Sequence, residues 1–165
     1  MTRPDIATRP ARPEDVPALV ALINAIIAAG GTTAHQTPFD AAGFTAHYLP
    51  GAEAVATFVA LDPGGRPAGF QSVARHPALP RDWVTIGTFT RRDDPLPGAG
   101  RALFAATRDW AARNGIAAID ATIRADNTGG LAFYAAMGFQ DDRVTPAVPL
   151  ADGTPVDRIS KVYRL

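Results

Sequence analysis

The sequence predicts an α+β or mixed α/β fold in which helices cover a central sheet. Three observations predict it: an amphipathic helix near the N-terminus, runs of strands joined by turns rich in glycine and proline, and two successive strand-to-helix units. This combination fits neither a barrel nor a helix bundle. At 165 residues, the chain is expected to form a single domain over residues 1–165.

The N-terminal part predicts one strand and two helices. The run IATRPAR, residues 6–12, is typical of a short strand, and a helix follows from Pro13 to a Gly30-Gly31 stop. Its apolar residues recur at helical spacing and predict the buried stripe Val16, Leu19, Val20, Ile23, Ile26 and Ile27. A weaker helix is predicted in TPFDAAGFTAHYL, residues 37–49. The polar connection before it, GTTAHQT, is placed where it can overhang a site.

The middle of the chain predicts three strands. The runs EAVATFVAL and AGFQSVARH, residues 53–61 and 68–76, are apolar or alternating, and the turn DPGGRP separates them. Proline and glycine in that turn favour a hairpin, so these two strands are expected to be antiparallel. The run DWVTIGTFT, residues 82–90, predicts a fourth strand.

Two strand-to-helix units follow. The fourth strand leads into the helix RALFAATRDWAARNG, residues 101–115, whose predicted buried residues are Leu103, Phe104, Thr107, Trp110 and Ala111. The run IAAIDATI, residues 116–123, is a strand, and DNTGGLAFYAAMGF, residues 126–139, is a short helix. Asn127 is positioned to cap this helix and Gly138 to end it.

The C-terminal segment predicts a closing hairpin. The runs FQDDRVT and PVDRISKVYRL, residues 139–145 and 155–165, are extended, and Asp152-Gly153 between them is a strong turn signal. An outer strand presents unpaired backbone groups, so this hairpin offers an edge through which a homodimer can form. The sequence does not decide whether it does.

Composition narrows the classes of partner. Sixteen basic and sixteen acidic residues cancel, so no overall positive field draws the chain to nucleic acid or a membrane surface, and a small-molecule partner is favoured. The absence of cysteine excludes disulfides and thiol catalysis. The most apolar run, residues 17–29, is too short to cross a bilayer, and the first residues lack a signal-peptide pattern, which predicts cytoplasmic residence. His35, His47 and His76 lack metal-ligand spacing, so no metal is expected.

The stretch DDPLPGAGRALF, residues 93–104, raises the first functional question. A loop that follows a strand and opens a helix leaves backbone N–H groups unsatisfied at the positive end of the helix dipole. Gly98 and Gly100 leave those amides unshielded and Arg101 adds a cation, so phosphate is the natural occupant. A tight turn that starts a helix is the alternative. The stretch matches neither a P-loop nor the complete dinucleotide fingerprint.

A second motif gives this loop its context. The segment IRADNTGGLAFYAAMGF, residues 123–139, combines an asparagine cap, small residues, the pair Phe133-Tyr134 and a glycine exit. Together with GAGRALF upstream, it resembles the GNAT superfamily of acyl-CoA-dependent N-acyltransferases, and the order of the predicted elements is similar over nearly the whole chain. The resemblance implies a GNAT-like, mostly antiparallel central sheet with splayed strands 4 and 5 and the pantetheine arm of acetyl-CoA between them.

The resemblance also implies a reaction and its residues. An acetyl group would pass from the cosubstrate acetyl-CoA to a primary amine of a small molecule by direct attack, without a metal. Residues 98–100 would lie under the pyrophosphate, and backbone amides near residues 88–90 would polarise the thioester carbonyl. Tyr134 would act as the general acid that protonates the departing thiolate. The implied cofactor contacts are Phe89, Thr90, Gly98, Ala99, Gly100, Arg101, Asn127 and Phe133.

The glycine loop departs from the family pattern, and this keeps a second hypothesis open. Pro95 stands where the family has Arg or Gln, and Pro97 precedes the first glycine, so two N–H donors are absent. The Asp93-Asp94 pair adds negative charge nearby. The cations expected to compensate are Arg91, Arg92 and Arg101. The alternative is a GNAT-fold protein with weak catalysis that binds a CoA ester or another ligand as a sensor or interaction module.

The residues expected to surround the acceptor amine carry weaker sequence signals. His35 lies in the polar connection, which can border the acceptor pocket, whereas Glu53 begins a strand and is interpreted as a solvated strand end. A protein acetyltransferase has little support, because the chain is neutral overall. The identity of the amine, the general base and the preferred acyl chain stay open.

Overall fold

The computed structural model describes residues 5–51 and 53–165 of the chain. Its elements follow the predicted order, with a 3-10 turn at Pro13–Asp15 before the first helix. The strands are β1 (Ala7–Pro10), β2 (Ala54–Leu61), β3 (Pro67–Ala74), β4 (Trp83–Thr90), β5 (Ala118–Arg124), β6 (Gln140–Pro149) and β7 (Pro155–Arg164). The helices are α1 (Val16–Ala29), α2 (Ala41–Tyr48), α3 (Ala99–Arg113) and α4 (Thr128–Met137).

The seven strands form one sheet in the order β1-β2-β3-β4-β5-β7-β6. Neighbouring strands are antiparallel except β4 and β5, which are parallel because α3 crosses between them. The predicted mixed, mostly antiparallel sheet is thus confirmed. The closing hairpin also forms, with β6 at the edge of the sheet, and β6 runs beyond the predicted segment past an irregularity at Ala147, which has a φ of 51°.

The parallel strands β4 and β5 separate after three paired positions. They pair from Trp83 with Ala118 to Thr85 with Asp120, and the rest of β4 pairs only with β3 while the rest of β5 pairs only with β7. At the last paired position, Thr85 Oγ1 donates to Asp120 Oδ2 over 2.8 Å. A gap therefore opens between the C-terminal halves of β4 and β5, as the predicted splay requires.

Each face of the sheet has its own core. On one face, α3 and α4 pack through residues such as Leu103, Phe104 and Tyr134. On the other, α1 and α2 pack over Val59 and Phe70. None of the helices in the described part of the chain is long and apolar enough to cross a membrane.

The buried face of α1 differs from the predicted stripe at one border. Five of the six predicted residues are buried, but Val20 is only half-buried and Leu22 is buried in addition. At 100° per residue, Val20 and Leu22 lie at opposite borders of the same apolar face. Periodicity places the centre of such a face, and the neighbouring elements decide which border is covered.

The start of α1 is held to β1 by an ion pair. Asp15 accepts two hydrogen bonds from the Arg9 guanidinium, at 2.7 and 2.8 Å, and a third from the Arg12 backbone N–H at 2.8 Å. Its side chain is only 8% exposed. The hydrogen bonds from Arg9 lower the pKa of the Asp15 carboxyl, because they stabilise its charged form.

Replacing Asp15 with asparagine is expected to lower the free energy of unfolding by about 1–3 kcal/mol, because the bidentate bond to Arg9 is lost. Urea denaturation at neutral pH measures the change. Glu14→Gln is the control, because Glu14 is an exposed acid in the same turn. The folded-state pKa of Asp15 is lowered, so its stabilisation is present above the unfolded pKa and lost as pH falls through the folded one. A wild-type advantage that persists unchanged at acid pH would contradict this role.

Candidate active site

A cleft of about 1230 Å³ occupies the gap between β4 and β5. Residues from both faces of the sheet line it. On the α3 and α4 side these include the glycine loop, Phe133 and Tyr134. On the α1 and α2 side they include His35 and Tyr48. The gap thus connects two different chemical environments through the sheet.

The glycine loop forms the N-terminus of α3. Gly98 caps the helix with a φ of 92°, a left-handed conformation that favours glycine. The Ala99 N–H donates to the Leu96 carbonyl, at 3.1 Å, whereas the N–H groups of Gly98, Gly100 and Arg101 have no partner among the described residues. These three amides form the part of the predicted cradle that is free to bind an anion.

Gly100 is required by packing within the protein. A Cβ at this position would lie 2.8 Å from Cε2 of Phe133, because the Phe133 ring lies directly on the first turn of α3. Gly100 was predicted to allow the close approach of a ligand, and this contact within the protein was not predicted. Phe133 lines the cleft, and its contact with the cofactor stays a prediction.

Tyr134 is buried at the edge of the gap, with 7% of its surface exposed. Its hydroxyl lies 2.8 Å from Thr88 Oγ1, which also accepts a hydrogen bond from Gln71 Nε2 at 2.8 Å. Thr88 can accept from Gln71 and donate its own hydrogen to Tyr134, and in that arrangement the Tyr134 hydrogen is free to point elsewhere. Burial raises the pKa of Tyr134 to about 12, so the phenol is protonated at neutral pH.

The backbone of β4 alternates between β3 and the gap. Just beyond β4, Arg91 N–H donates to the Ala68 carbonyl, and β4 pairs with β3 up to Thr90. Alternation along an antiparallel pair then turns the backbone of Thr88 and Thr90 toward the gap. The Phe89 backbone faces β3 instead, and its ring stacks on Phe70 with ring centroids 4.9 Å apart. Thr90 is therefore placed to offer an amide, whereas Phe89 lines the cleft with its ring.

Asn127 uses its side chain for two contacts. Its Oδ1 accepts from Gly130 N–H at 2.9 Å, which caps α4, and its Nδ2 donates to the Thr32 carbonyl at 3.0 Å. Arg124 fastens the same connection by donating to the Thr33 carbonyl at 3.0 Å. The polar connection lies over the cleft, as expected, and these bonds from Asn127 at the start of α4 and Arg124 at the end of β5 hold it there. A pantetheine contact for Asn127 stays a prediction.

The charged residues of the glycine loop are arranged differently from the expectation. Arg91 is 5% exposed and pairs with Asp62 at 2.9 Å and with Asp94 at 3.5 Å, so it is not free to compensate for missing phosphate donors. Asp93 pairs with Arg66 at 3.0 Å. Both acids of the loop are therefore paired with an arginine, and Asp94 shares Arg91 with Asp62. Near the glycine loop, within the part of the chain described, the cations that line the cleft without an ion pair are Arg92 and Arg101.

Four polar side chains cluster on the opposite face of the gap. His35 Nε2 lies 2.5 Å from the Tyr48 hydroxyl, and His47 Nδ1 bonds to Glu53. His35 borders the cleft as expected, whereas Glu53 is paired rather than simply solvated. Neither His47 nor Tyr48 was predicted as a site residue, and the signal available for them was their adjacency at the end of a weak helix. No group of three or more potential metal-ligating side chains comes together in residues 5–51 and 53–165.

A family model matches most of the segment that forms this cleft. The model of the acetyltransferase (GNAT) family matches residues 32–139, from the polar connection to the end of α4 and the Phe139 that follows it. The match includes the glycine loop and Tyr134. No curated protein sequence matches the chain.

Solved structures with a similar fold cover nearly the whole chain. A GCN5-related N-acetyltransferase from Kribbella flavida has a TM-score of 0.83 at 23% identity, with 98% of each chain covered. A GNAT superfamily phosphinothricin acetyltransferase from Sinorhizobium meliloti, in complex with acetyl-CoA, has a TM-score of 0.82 at 20% identity, covering 98% of this chain and 89% of that one. A putative acetyltransferase from Salmonella typhimurium, with its cofactor acetyl-CoA, has a TM-score of 0.82 at 19% identity, covering 97% of this chain and 94% of that one. At these identities the likeness shows the fold alone.

Replacing Gly100 with alanine is expected to displace the Phe133 ring, because the new Cβ would lie 2.8 Å from it. We expect the free energy of unfolding to fall by about 1–3 kcal/mol, as at other overpacked positions. Urea denaturation measures the loss, and Gly129→Ala, whose Cβ would meet only one atom at 3.9 Å, controls for the helix propensity of alanine. Adding Phe133→Leu to Gly100→Ala should recover part of the loss in a double-mutant cycle. Strictly additive losses would contradict the contact.

Proposed function

Because the chain belongs to the GNAT acetyltransferase family, and is thus an acyltransferase with acetyl-CoA as its cosubstrate, we propose that it acetylates a primary amine of a small molecule. The amine attacks the thioester directly, without a covalent enzyme intermediate. A C–N bond forms, the C–S bond breaks, and the amine loses one proton while the CoA thiolate gains one. No step requires a metal.

The observation that supports this proposal most directly is the position of Tyr134. Its buried hydroxyl stands at the edge of the gap beside Thr88 and carries its proton at neutral pH. Tyr134 donates that proton to the departing thiolate. Because a pKa of about 12 lies above the pKa of about 8.5 typical of a thiol, the transfer runs uphill, and the acceleration it provides is modest.

The glycine loop and the open backbone of β4 supply the remaining contacts. The free N–H groups of Gly98, Gly100 and Arg101 bind the pyrophosphate at the positive end of α3. Arg92 adds a second cation in the cleft. A backbone N–H of β4 that faces the gap, at Thr88 or Thr90, donates to the thioester oxygen as negative charge develops there.

The sensor hypothesis draws on the same loop. Pro95 and Pro97 lack N–H groups, and Arg91 is occupied by Asp62, so fewer donors reach the phosphates than the family pattern supplies. A protein of this kind would bind a CoA ester and turn over slowly. Cytoplasmic residence and a homodimer through the β6 edge stay predictions of the sequence.

A titration with acetyl-CoA by calorimetry is expected to give binding in the micromolar range, and Gly98→Glu is expected to weaken it at least about tenfold, since the new carboxylate repels the pyrophosphate. Gly115→Glu is the matched control, because Gly115 also has a positive φ but lies at the opposite end of α3. Absence of binding to the wild type at millimolar acetyl-CoA would overturn the acetyltransferase proposal. Binding without acetylation of any amine would favour the sensor.

Replacing Tyr134 with phenylalanine is expected to lower kcat about 100-fold, at the low end of general acid catalysis, with little change in KM for acetyl-CoA. Release of free CoA thiol with the best amine of a panel measures the rate. Tyr163→Phe is the control, because Tyr163 packs against Phe104 outside the cleft. An unchanged kcat would show that Tyr134 is not the acid.

A further inference from the structure

The face of the gap opposite the glycine loop carries a cation without an anionic partner. Arg158 of β7 lines the cleft and is half-buried, and its guanidinium makes no hydrogen bond or ion pair with the residues that the structure describes. Its cross-strand neighbour Arg124 is bonded to Asp126, so that acid does not neutralise Arg158. A guanidinium in this setting has a planar fork of donors that matches a carboxylate.

A proton acceptor stands beside this cation. His35 is close enough to Arg158 and His47 for their positive charges to act on it, and burial together with these charges lowers the pKa of its imidazole below the ordinary 6.5. His35 is therefore neutral at physiological pH. Burial raises the pKa of Tyr48, so its hydroxyl keeps its proton, and that hydroxyl lies 2.5 Å from His35 Nε2. When the proton of the neutral His35 ring is on Nδ1, Tyr48 donates to Nε2.

The groups that face His35 come from three elements and from the turn before β2. They are His47 and Tyr48 at the end of α2, Arg158 of β7 and, bonded to His47, Glu53. The ring of Phe89 from β4 closes the cluster, with its centroid 6.5 Å from that of His35. Glu53 bonds to His47 rather than to His35, so His35 has no anionic partner among these groups.

We propose that this cluster is the acceptor subsite, that it takes a primary amine bearing a carboxylate, and that Arg158 binds the carboxylate while Tyr48 and His35 remove the amine proton. The ammonium gives one proton to the Tyr48 oxygen as Tyr48 passes its own to His35 Nε2. The amine becomes a neutral nucleophile, His35 becomes an imidazolium that returns its proton to solvent, and Tyr48 is unchanged. The nitrogen loses its second proton to solvent as the amide forms, and a proton from solvent restores Tyr134 after it has protonated the thiolate. This inference rests on the proposed function, because it names the substrate class of the same cleft.

The first test compares amino acids with their amides as acceptors. The amide keeps the amine and lacks the negative charge, so the wild type should prefer the acid at least about tenfold in kcat/KM. Arg158→Gln should raise KM for the acid about 10- to 100-fold and leave the amide unchanged. Arg75→Gln is the matched control, since Arg75 lines the cleft but is bonded to the Arg81 carbonyl. Equal use of acids and amides, or an unchanged KM in Arg158→Gln, would overturn the proposal.

The second test separates a proton relay from a structural role. His35→Gln and Tyr48→Phe should each lower kcat about 10- to 100-fold at saturating acceptor, and the double variant should be no worse, because the two residues act as one unit. Wild-type kcat should fall on acidification with an apparent pKa below 6.5, and the variants should lose this limb. His76→Gln is the control. A full-rate Tyr48→Phe, or losses that add in the double variant, would overturn the relay.

Two further measurements identify which proposal fails. Acetyl-CoA titration of His35→Gln and Arg158→Gln should give wild-type affinity, so loss of acetylation with intact binding is assigned to the acceptor subsite. Absence of acetyl-CoA binding to the wild type would instead overturn the proposed function. NMR titration of the His35 ring, which needs no activity, should give a pKa below 6.5, and a value above 6.5 would overturn its role as the neutral base.

Discussion

The separation of β4 from β5 after Thr85 is the constraint on which the rest of the site depends. The two strands share three paired positions, and each then continues along its other neighbour. Buried backbone groups require hydrogen-bond partners, so the groups that face the gap along the C-terminal halves of both strands are left to be satisfied by water or by a ligand that pairs like a strand. The buried Asp120, which accepts from Thr85 and Thr122, stands where the strands divide.

The gap divides the chemistry between the two faces of the sheet. On one face, the free amides at the start of α3 and the protonated Tyr134 suit an anionic cosubstrate and its leaving group. On the other, His35 is kept neutral and Arg158 is left unpaired. Each helical layer therefore does more than cover the sheet. The layer formed by α3 and α4 holds the glycine loop and Tyr134, and the layer formed by α1 and α2 shapes the end of the cleft that we propose binds the acceptor.

Local signals in the sequence predict the elements well, because glycine positions and periodic apolar residues act within a few residues of themselves. Gly138, for example, ends α4 in the left-handed conformation, with a φ of 102°, as its position after the helix indicates. Contacts between distant segments leave no such signal. The bond between Arg91 and Asp62 changes the interpretation of the charges in the loop, and the closeness of Gly100 to Phe133 changes the reason for that glycine. Both depend on how segments distant in the sequence pack against each other, which periodicity does not encode.

The double contact of Asn127 restricts what evolution can place at that position. Asparagine and aspartate are nearly equivalent as helix caps. Here, however, the cap also donates to the Thr32 carbonyl, and an aspartate would keep the bond to Gly130 while setting a carboxylate against a carbonyl oxygen. Replacement of Asn127 by aspartate therefore destabilises this fold unless the polar connection changes as well. Asn127 is thus both a local helix cap and one end of a contact between residues 95 positions apart in the sequence.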